Sequence, residues 1–179
     1  PSGTAGTTYA RFRVSTDAAA ANSTGAASDG EVEDYLFTIS NSAGQSVVVR
    51  SFLELANNTN GGPALGNDDR FGGAVASVGD LDGDGVADLA VGASGDDTGG
   101  DLQGALYLLL LNVNGTLKSF TKVASGINGG PTLSNGDKFG NSVASLGDLD
   151  GDGVSDLIVG APGDGTGGDR RGAMYVLLM

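Results

Sequence analysis

The apolar positions fall into short runs, each of strand length, separated by clusters of Gly, Asp and Asn. Four such runs follow one another from residue 70. Arg70–Asp80 (RFGGAVASVGD) carries small and β-branched residues. Asp88–Ala93 (DLAVGA) is short and nearly continuous, and Gly104–Asn112 (GALYLLLLN) is another such run. Leu117–Ser125 (LKSFTKVAS) alternates at period two. Continuous runs suit strands covered on both faces, and alternation suits a strand with one wet face. Ala105–Leu111 contains good helix formers, but it is short, uncapped and followed at once by Asn112 and Asn114-Gly115, which predicts a strand ending in a turn. Ser46–Leu55 (SVVVRSFLEL) predicts a strand of the same kind ahead of the first group. Upstream, TTYARFRVST (residues 7–16) and EVEDYLFTIS (residues 31–40) alternate as strands around a small, polar stretch that reads as a long loop. Asn41–Gln45 reads as a linker.

The runs recur. Residues 61–111 and 129–179 align without a gap at an offset of 68, and 35 of the 51 pairs are identical. Phe71 returns as Phe139, Asp80 as Asp148, Gly104 as Gly172 and Tyr107 as Tyr175. A fixed period without insertions marks stacked supersecondary units, each needing a neighbour to cover its apolar face. Four short strands joined by Gly-rich turns make one blade of a β-propeller.

Composition narrows the function. Gly accounts for 33 of 179 residues, more than twice the usual share of about 7%, and fits a turn-rich fold. With 22 Asp and Glu against 9 Lys and Arg, the net charge of −13 argues against nucleic acid and against an anionic membrane surface. The chain has neither Cys nor His, which excludes disulfides, zinc–thiolate sites and His-dependent catalysis within it. No apolar run approaches the ~20 residues of a membrane helix, so no membrane insertion is expected.

The acids are concentrated. DLDGDGVAD (Asp80–Asp88) and DLDGDGVSD (Asp148–Asp156) place carboxylates at positions 1, 3, 5 and 9 of a nine-residue loop. Curling round an ion brings alternate side chains inward, Gly at position 6 allows the bend, and position 7 offers a backbone carbonyl. The expected ligands are Asp80, Asp82, Asp84, Val86 and Asp88, and then Asp148, Asp150, Asp152, Val154 and Asp156. Oxygen-only ligands of high charge select Ca²⁺, giving two sites. The plainer reading, two Asp-Gly turns capping strands, is disfavoured. Four carboxylates within about 5 Å repel by roughly 3 kcal/mol per pair at an effective dielectric near 20. An EF-hand or dockerin loop needs a carboxylate at position 12, where this chain has Val91 and Val159, and needs flanking helices in place of strands.

With these motifs in view, RFGGAVASVGDLDGDGVADLAVGA and KFGNSVASLGDLDGDGVSDLIVGAP resemble the FG-GAP repeats of integrin α subunits and their bacterial relatives. Phe71-Gly72 and Phe139-Gly140 supply the FG; Gly92–Ser94 and Gly160–Pro162 supply the GAP, the first with Ser94 for Pro. The resemblance covers residues 47–179 and implies calcium at the aspartate loops, an integrin-α-like propeller and an extracellular or cell-surface setting. That family closes a ring of seven blades, whereas this chain holds about two. FRVST and DGEVEDYLFTI (Asp29–Ile39) are similar to the end of the bacterial GEVED domain, a small extracellular β-sandwich. The expected fold is all-β: part of a β-sandwich over 1–40, a linker at 41–46, and two four-stranded antiparallel blades with calcium loops over 47–111 and 112–179, the second incomplete at its end.

Other motifs are weaker. GDDTGGD (Gly95–Asp101) and GDGTGGD (Gly163–Asp169) could extend an ion or partner site, but read better as solvated turns. Glu31, Glu33 and Asp34 fit the wet face of an edge strand better than a catalytic pair. The sequence therefore predicts a non-catalytic, calcium-binding structural or adhesion protein. It partners itself or neighbouring repeats and could form a subunit of a filament, with residues 7–16 and 31–40 completing a sheet with another copy or a neighbouring segment. Two alternatives stay open: a propeller that binds a protein or glycan ligand, and an accessory domain of a larger secreted enzyme.

Overall fold

The computed structural model describes residues 7–14, 31–38, 49 and 51–179. The chain divides into two compact units, Pro1–Arg50 and Ser51–Met179. In the first, β1 (Thr7–Val14) pairs antiparallel with β2 (Glu31–Thr38), from Thr7 opposite Thr38 to Val14 opposite Glu31 without a register shift. The two expected strands thus pair with each other. The expected linker at 41–46 lies outside the described residues.

The second unit is built from two antiparallel sheets. The first holds β3 (Phe71–Gly79), β4 (Asp88–Ala93), β5 (Ala105–Leu111) and β6 (Leu117–Val123), in chain order. The second holds β7 (Ser142–Gly147), β8 (Asp156–Ala161) and β9 (Ala173–Leu177). No helix occurs among the described residues, and Ala105–Leu111 is a strand throughout. β6 pairs with β5 across the turn at Asn112–Thr116. The first sheet therefore runs to Val123, and the second holds three strands. Ser51–Leu55, expected as a strand, is not one. Its counterpart β6 is held by the ladder to β5, whereas no strand lies alongside Ser51–Leu55 among the described residues of this unit, and an unpaired strand is not stable in water.

The burial explains the hydrophobic pattern. Alternate residues of a strand point to opposite faces. Ala90, Leu106 and Leu108 of the first sheet meet Phe139, Leu157, Val159 and Ala161 of the second, with Tyr175 and Leu177 packed alongside. Val91, Ala105, Tyr107 and Leu109 point the other way and are covered by Leu55, Leu65, Phe71 and Leu117. β5 is therefore buried on both faces, as its unbroken apolar run required. β9 alternates instead: Tyr175 and Leu177 face the first sheet, while Met174, Val176 and the adjoining Leu178 are 75%, 52% and 60% exposed. At the repeat offset Met174 and Val176 correspond to Leu106 and Leu108, so the second sheet bares the face that the first sheet covers.

A short junction joins the sheets at the end of the strands away from the aspartate loops. Gly104 bridges Phe139 in parallel fashion, and the amides of Gly136, Lys138 and Phe139 donate to the carbonyls of Asp101, Leu102 and Gln103 at 2.9, 3.0 and 2.9 Å. Gly104 has φ +84°, and a Cβ there would sit 2.1 Å from the Phe139 carbonyl oxygen. Only glycine permits both the left-handed turn and this approach.

Candidate metal centres

Both aspartate loops connect the first and second strands of their sheets. The local fold follows from carboxylates capping amides. Asp80 accepts from Gly83 and Asp84 through Oδ1 (2.8 and 3.0 Å) and from Gly85 through Oδ2 (2.7 Å). Asp148 repeats this with Gly151, Asp152 and Gly153 at 2.6, 3.1 and 2.9 Å. Gly85 and Gly153 take φ of +85° and +93°, the bend expected at position 6.

Position 9 anchors each loop to the sheet. Asp88 is fully buried and accepts from the Leu81 amide (2.8 Å) and from the Leu111 amide at the end of β5 (2.9 Å). Asp156, equally buried, accepts from Leu149 (2.7 Å) and Met179 (3.0 Å). A buried carboxylate needs such donors, and here they also aim it into the loop. One oxygen from each of Asp80, Asp82 and Asp88 lies within 4.8 Å of the others, and Asp148, Asp150 and Asp156 repeat the arrangement.

The remaining expected ligands sit differently. Asp84 and Asp152 are outside these triads and accept from the Val86 and Val154 amides at 2.9 and 2.8 Å. Lys118 of β6 enters the first loop, its Nζ donating to Asp82 Oδ2 at 2.6 Å and to Asp84 Oδ2 at 3.0 Å. This ammonium, with the Val86 amide, holds the Asp84 carboxyl below its usual range, and the two aspartates raise Lys118 in turn. Among the described residues no lysine or arginine pairs with Asp150 or Asp152. Each triad fits a hard divalent cation: its donors are all oxygen and anionic, the first and last are held by backbone amides, and the triad is open to solvent on one side.

The glycine-rich loops at the other strand end correct an expectation. Asp96 and Asp164, read from sequence as parts of solvated turns, are each only 2% exposed. Asp96 Oδ2 accepts from the Tyr107 hydroxyl (3.0 Å) and pairs with Lys122 Nζ (2.6 Å), while Oδ1 accepts from the Thr98 amide (2.9 Å). Lys122 also donates to the Thr98 hydroxyl. Asp164 accepts from the Tyr175 hydroxyl and, at 2.7 Å, from the Thr166 amide. Burial pushes the Asp96 carboxyl up, but Lys122 and Thr98 together outweigh it and leave it below its usual range. Burial first, then the Asp164 hydrogen bond and charge, push the Tyr175 hydroxyl up to about 12; burial and Asp96 raise Tyr107 in the same way. These aspartates fasten the loop to the third strand. Their signal lay in a constant 11-residue interval from Asp to Tyr in both repeats. Nothing in the sequence placed Lys118 beside Asp82, 36 residues away.

Two stretches of the chain, residues 71–109 and 139–177, match the FG-GAP repeat, within the span where the motifs placed it. Each covers the first three strands of one sheet, aspartate loop included. The chain is 37% identical over 92 residues to integrin alpha-4 of Xenopus laevis, covering 51% of this chain and 8% of that protein. It is 42% identical over 98 residues to integrin alpha-3 of Cricetulus griseus, covering 54% and 9%, and 40% identical over 92 residues to integrin alpha pat-2 of Caenorhabditis elegans, covering 51% and 7%. The chain thus spans under a tenth of the length of these relatives.

Proposed function

We propose that this chain is a non-catalytic, extracellular calcium-binding module of structural or adhesive type, whose FG-GAP repeats stack face to face and whose metal loops stiffen one end of each sheet. The observation that carries the reading is the twofold convergence of three carboxylates, the first and last of each triad held by backbone amides. Asp80, Asp82 and Asp88 would hold one Ca²⁺ and Asp148, Asp150 and Asp156 the other, with Asp84, Val86, Asp152 and Val154 in reach of the same loops. Bound calcium would supply positive charge that relieves the repulsion within each triad and ties the loop to the strand behind it. The likeness to integrin α proteins supports the adhesive and cell-surface setting.

Calorimetric titration of the calcium-stripped chain tests this: two Ca²⁺ per chain are expected, falling to one in Asp82→Ala and one in Asp150→Ala. An absence of heat at millimolar calcium would overturn it.

The bared face of the second sheet supports the partner part of the reading. Met174, Val176 and Leu178 repeat positions that the first sheet buries against its neighbour, so another FG-GAP unit, from the same polypeptide or another copy, is the surface that fits. Self-association through this face would lead to an open filament if the rotation does not close. Light scattering of the chain and of Met174→Asp checks it: a species larger than one chain that the variant dissolves is expected, and equal masses would contradict assembly through this face.

A further inference from the structure

The first aspartate loop contains a cation of the protein's own. Lys118 Nζ lies 2.6 Å from Asp82 Oδ2, and Asp82 is one of the three carboxylates that converge in the first loop. It lies 3.0 Å from Asp84 Oδ2, the carboxylate left outside that triad. Lys118 reaches the loop from β6, a strand laid down beside β5 by the hairpin at Asn112–Thr116. Its side chain remains 42% exposed, so it has solvent to move into.

We infer that Lys118 is a tethered competitor for the metal at the first loop, so that removing its ammonium tightens calcium binding there. This deepens the calcium reading above and rests on it. The physical reason is short. A Ca²⁺ ion takes oxygens at about 2.3–2.6 Å. An ammonium already hydrogen-bonded to Asp82 repels that ion and occupies one of its donors. Loading the first loop must therefore displace Lys118 from Asp82. Displacement frees Asp84 and releases the start of β6 from the loop, so occupancy of the first site is coupled to the β5–β6 hairpin. Asp88 already ties the loop to β5 through the Leu111 amide, which makes the hairpin its natural relay. Two exposed ion pairs correspond to a difference of on the order of three- to tenfold in Kd.

The test uses the whole chain, with each loop isolated by disabling the other. In Asp150→Ala only the first loop remains competent, and in Asp82→Ala only the second. Calcium Kd is measured by calorimetry in both backgrounds, with and without Lys118→Met, and far-ultraviolet circular dichroism confirms the fold of each variant. Lys118→Met should tighten the first loop by about three- to tenfold, and leave the second unchanged. Lys118→Arg, which retains the charge, should keep the first loop weak. A first loop that Lys118→Met leaves unchanged or weakens would overturn the competitor role while leaving calcium binding intact. No binding in either background would overturn both.

Discussion

Phe139 and Phe71 occupy the same position of the repeat, yet they should contribute unequally to stability. Phe139 is fully buried between the sheets, edge-on to Tyr175 at 5.7 Å and 75°, and its amide donates to Gln103 across the junction. Phe71 is half-buried on the far side of the first sheet, edge-on to Tyr107 at 5.3 Å. Truncating a fully buried Phe costs about 3–5 kcal/mol in lost transfer energy and residual cavity. Phe139 stands at the upper end, because backbone hydrogen bonds on both sides hinder collapse of the space. Phe71, with solvent at part of its ring, should lose about half as much, roughly 1.5–2.5 kcal/mol. With an m-value of about 2 kcal/mol/M in urea, Phe139→Ala should lower the unfolding midpoint by about 2 M and Phe71→Ala by about 1 M. Urea titration followed by circular dichroism at fixed calcium reads this directly. Equal losses, or a larger loss for Phe71→Ala, would show that the inter-sheet contact is not the main core and would refute the reasoning.

Calcium should stabilise the chain: at a Kd on the order of 10⁻⁴ M and ~2 mM calcium, each site contributes about 1.8 kcal/mol, so chelation should lower Tm by several degrees. An unchanged melting curve would contradict this. Alkaline pH should destabilise the fold, because Tyr107 and Tyr175 are held protonated above the ordinary phenol value of 10.0. That contribution is complete below pH ~10 and is lost as pH rises toward 12. Tyr175→Phe should therefore flatten the decline in urea midpoint between pH 9 and 11.5, and an identical slope would count against the assignment. Gly104→Ala should cost more than about 2 kcal/mol, since it meets the Phe139 backbone and forces a Cβ into a left-handed turn. A melting temperature within a degree or two of the parent would show that the junction yields easily.

Much of this fold was legible because pattern and repetition agreed. The unbroken apolar run of Ala105–Leu111 demanded cover on both faces, and the structure provides it on both. The same logic failed at Ser51–Leu55, which shares its Ser-Phe pair with Ser119 and Phe120 of β6. Strand formation depends on a partner in the ladder as well as on local preference. β6 has β5 beside it, whereas Ser51–Leu55 contributes Leu55 to the core without joining a sheet. The repeat alignment stops at Leu111, whereas the ladder continues across the hairpin to Val123.

The site divides along the same line, between what a local motif can specify and what tertiary proximity adds. The aspartate loops fold on contacts three to five residues apart, such as Asp80 to Gly83, Asp84 and Gly85, so their spacing carried the information. Asp96 and Asp164 looked like turn residues because Gly and Asp are turn residues wherever they stand. What buries them is a tyrosine hydroxyl 11 positions away on the next strand, which the repeat displayed twice without its meaning being read. Lys118 is further still from what sequence can show. It sits 36 and 34 residues from its two carboxylates, and its counterpart in the preceding repeat register is Arg50. The ligand positions alone therefore do not give the charge that the first loop meets. β6, packed beside it, supplies that charge, and a repeat alignment confined to residues 61–111 and 129–179 leaves β6 out.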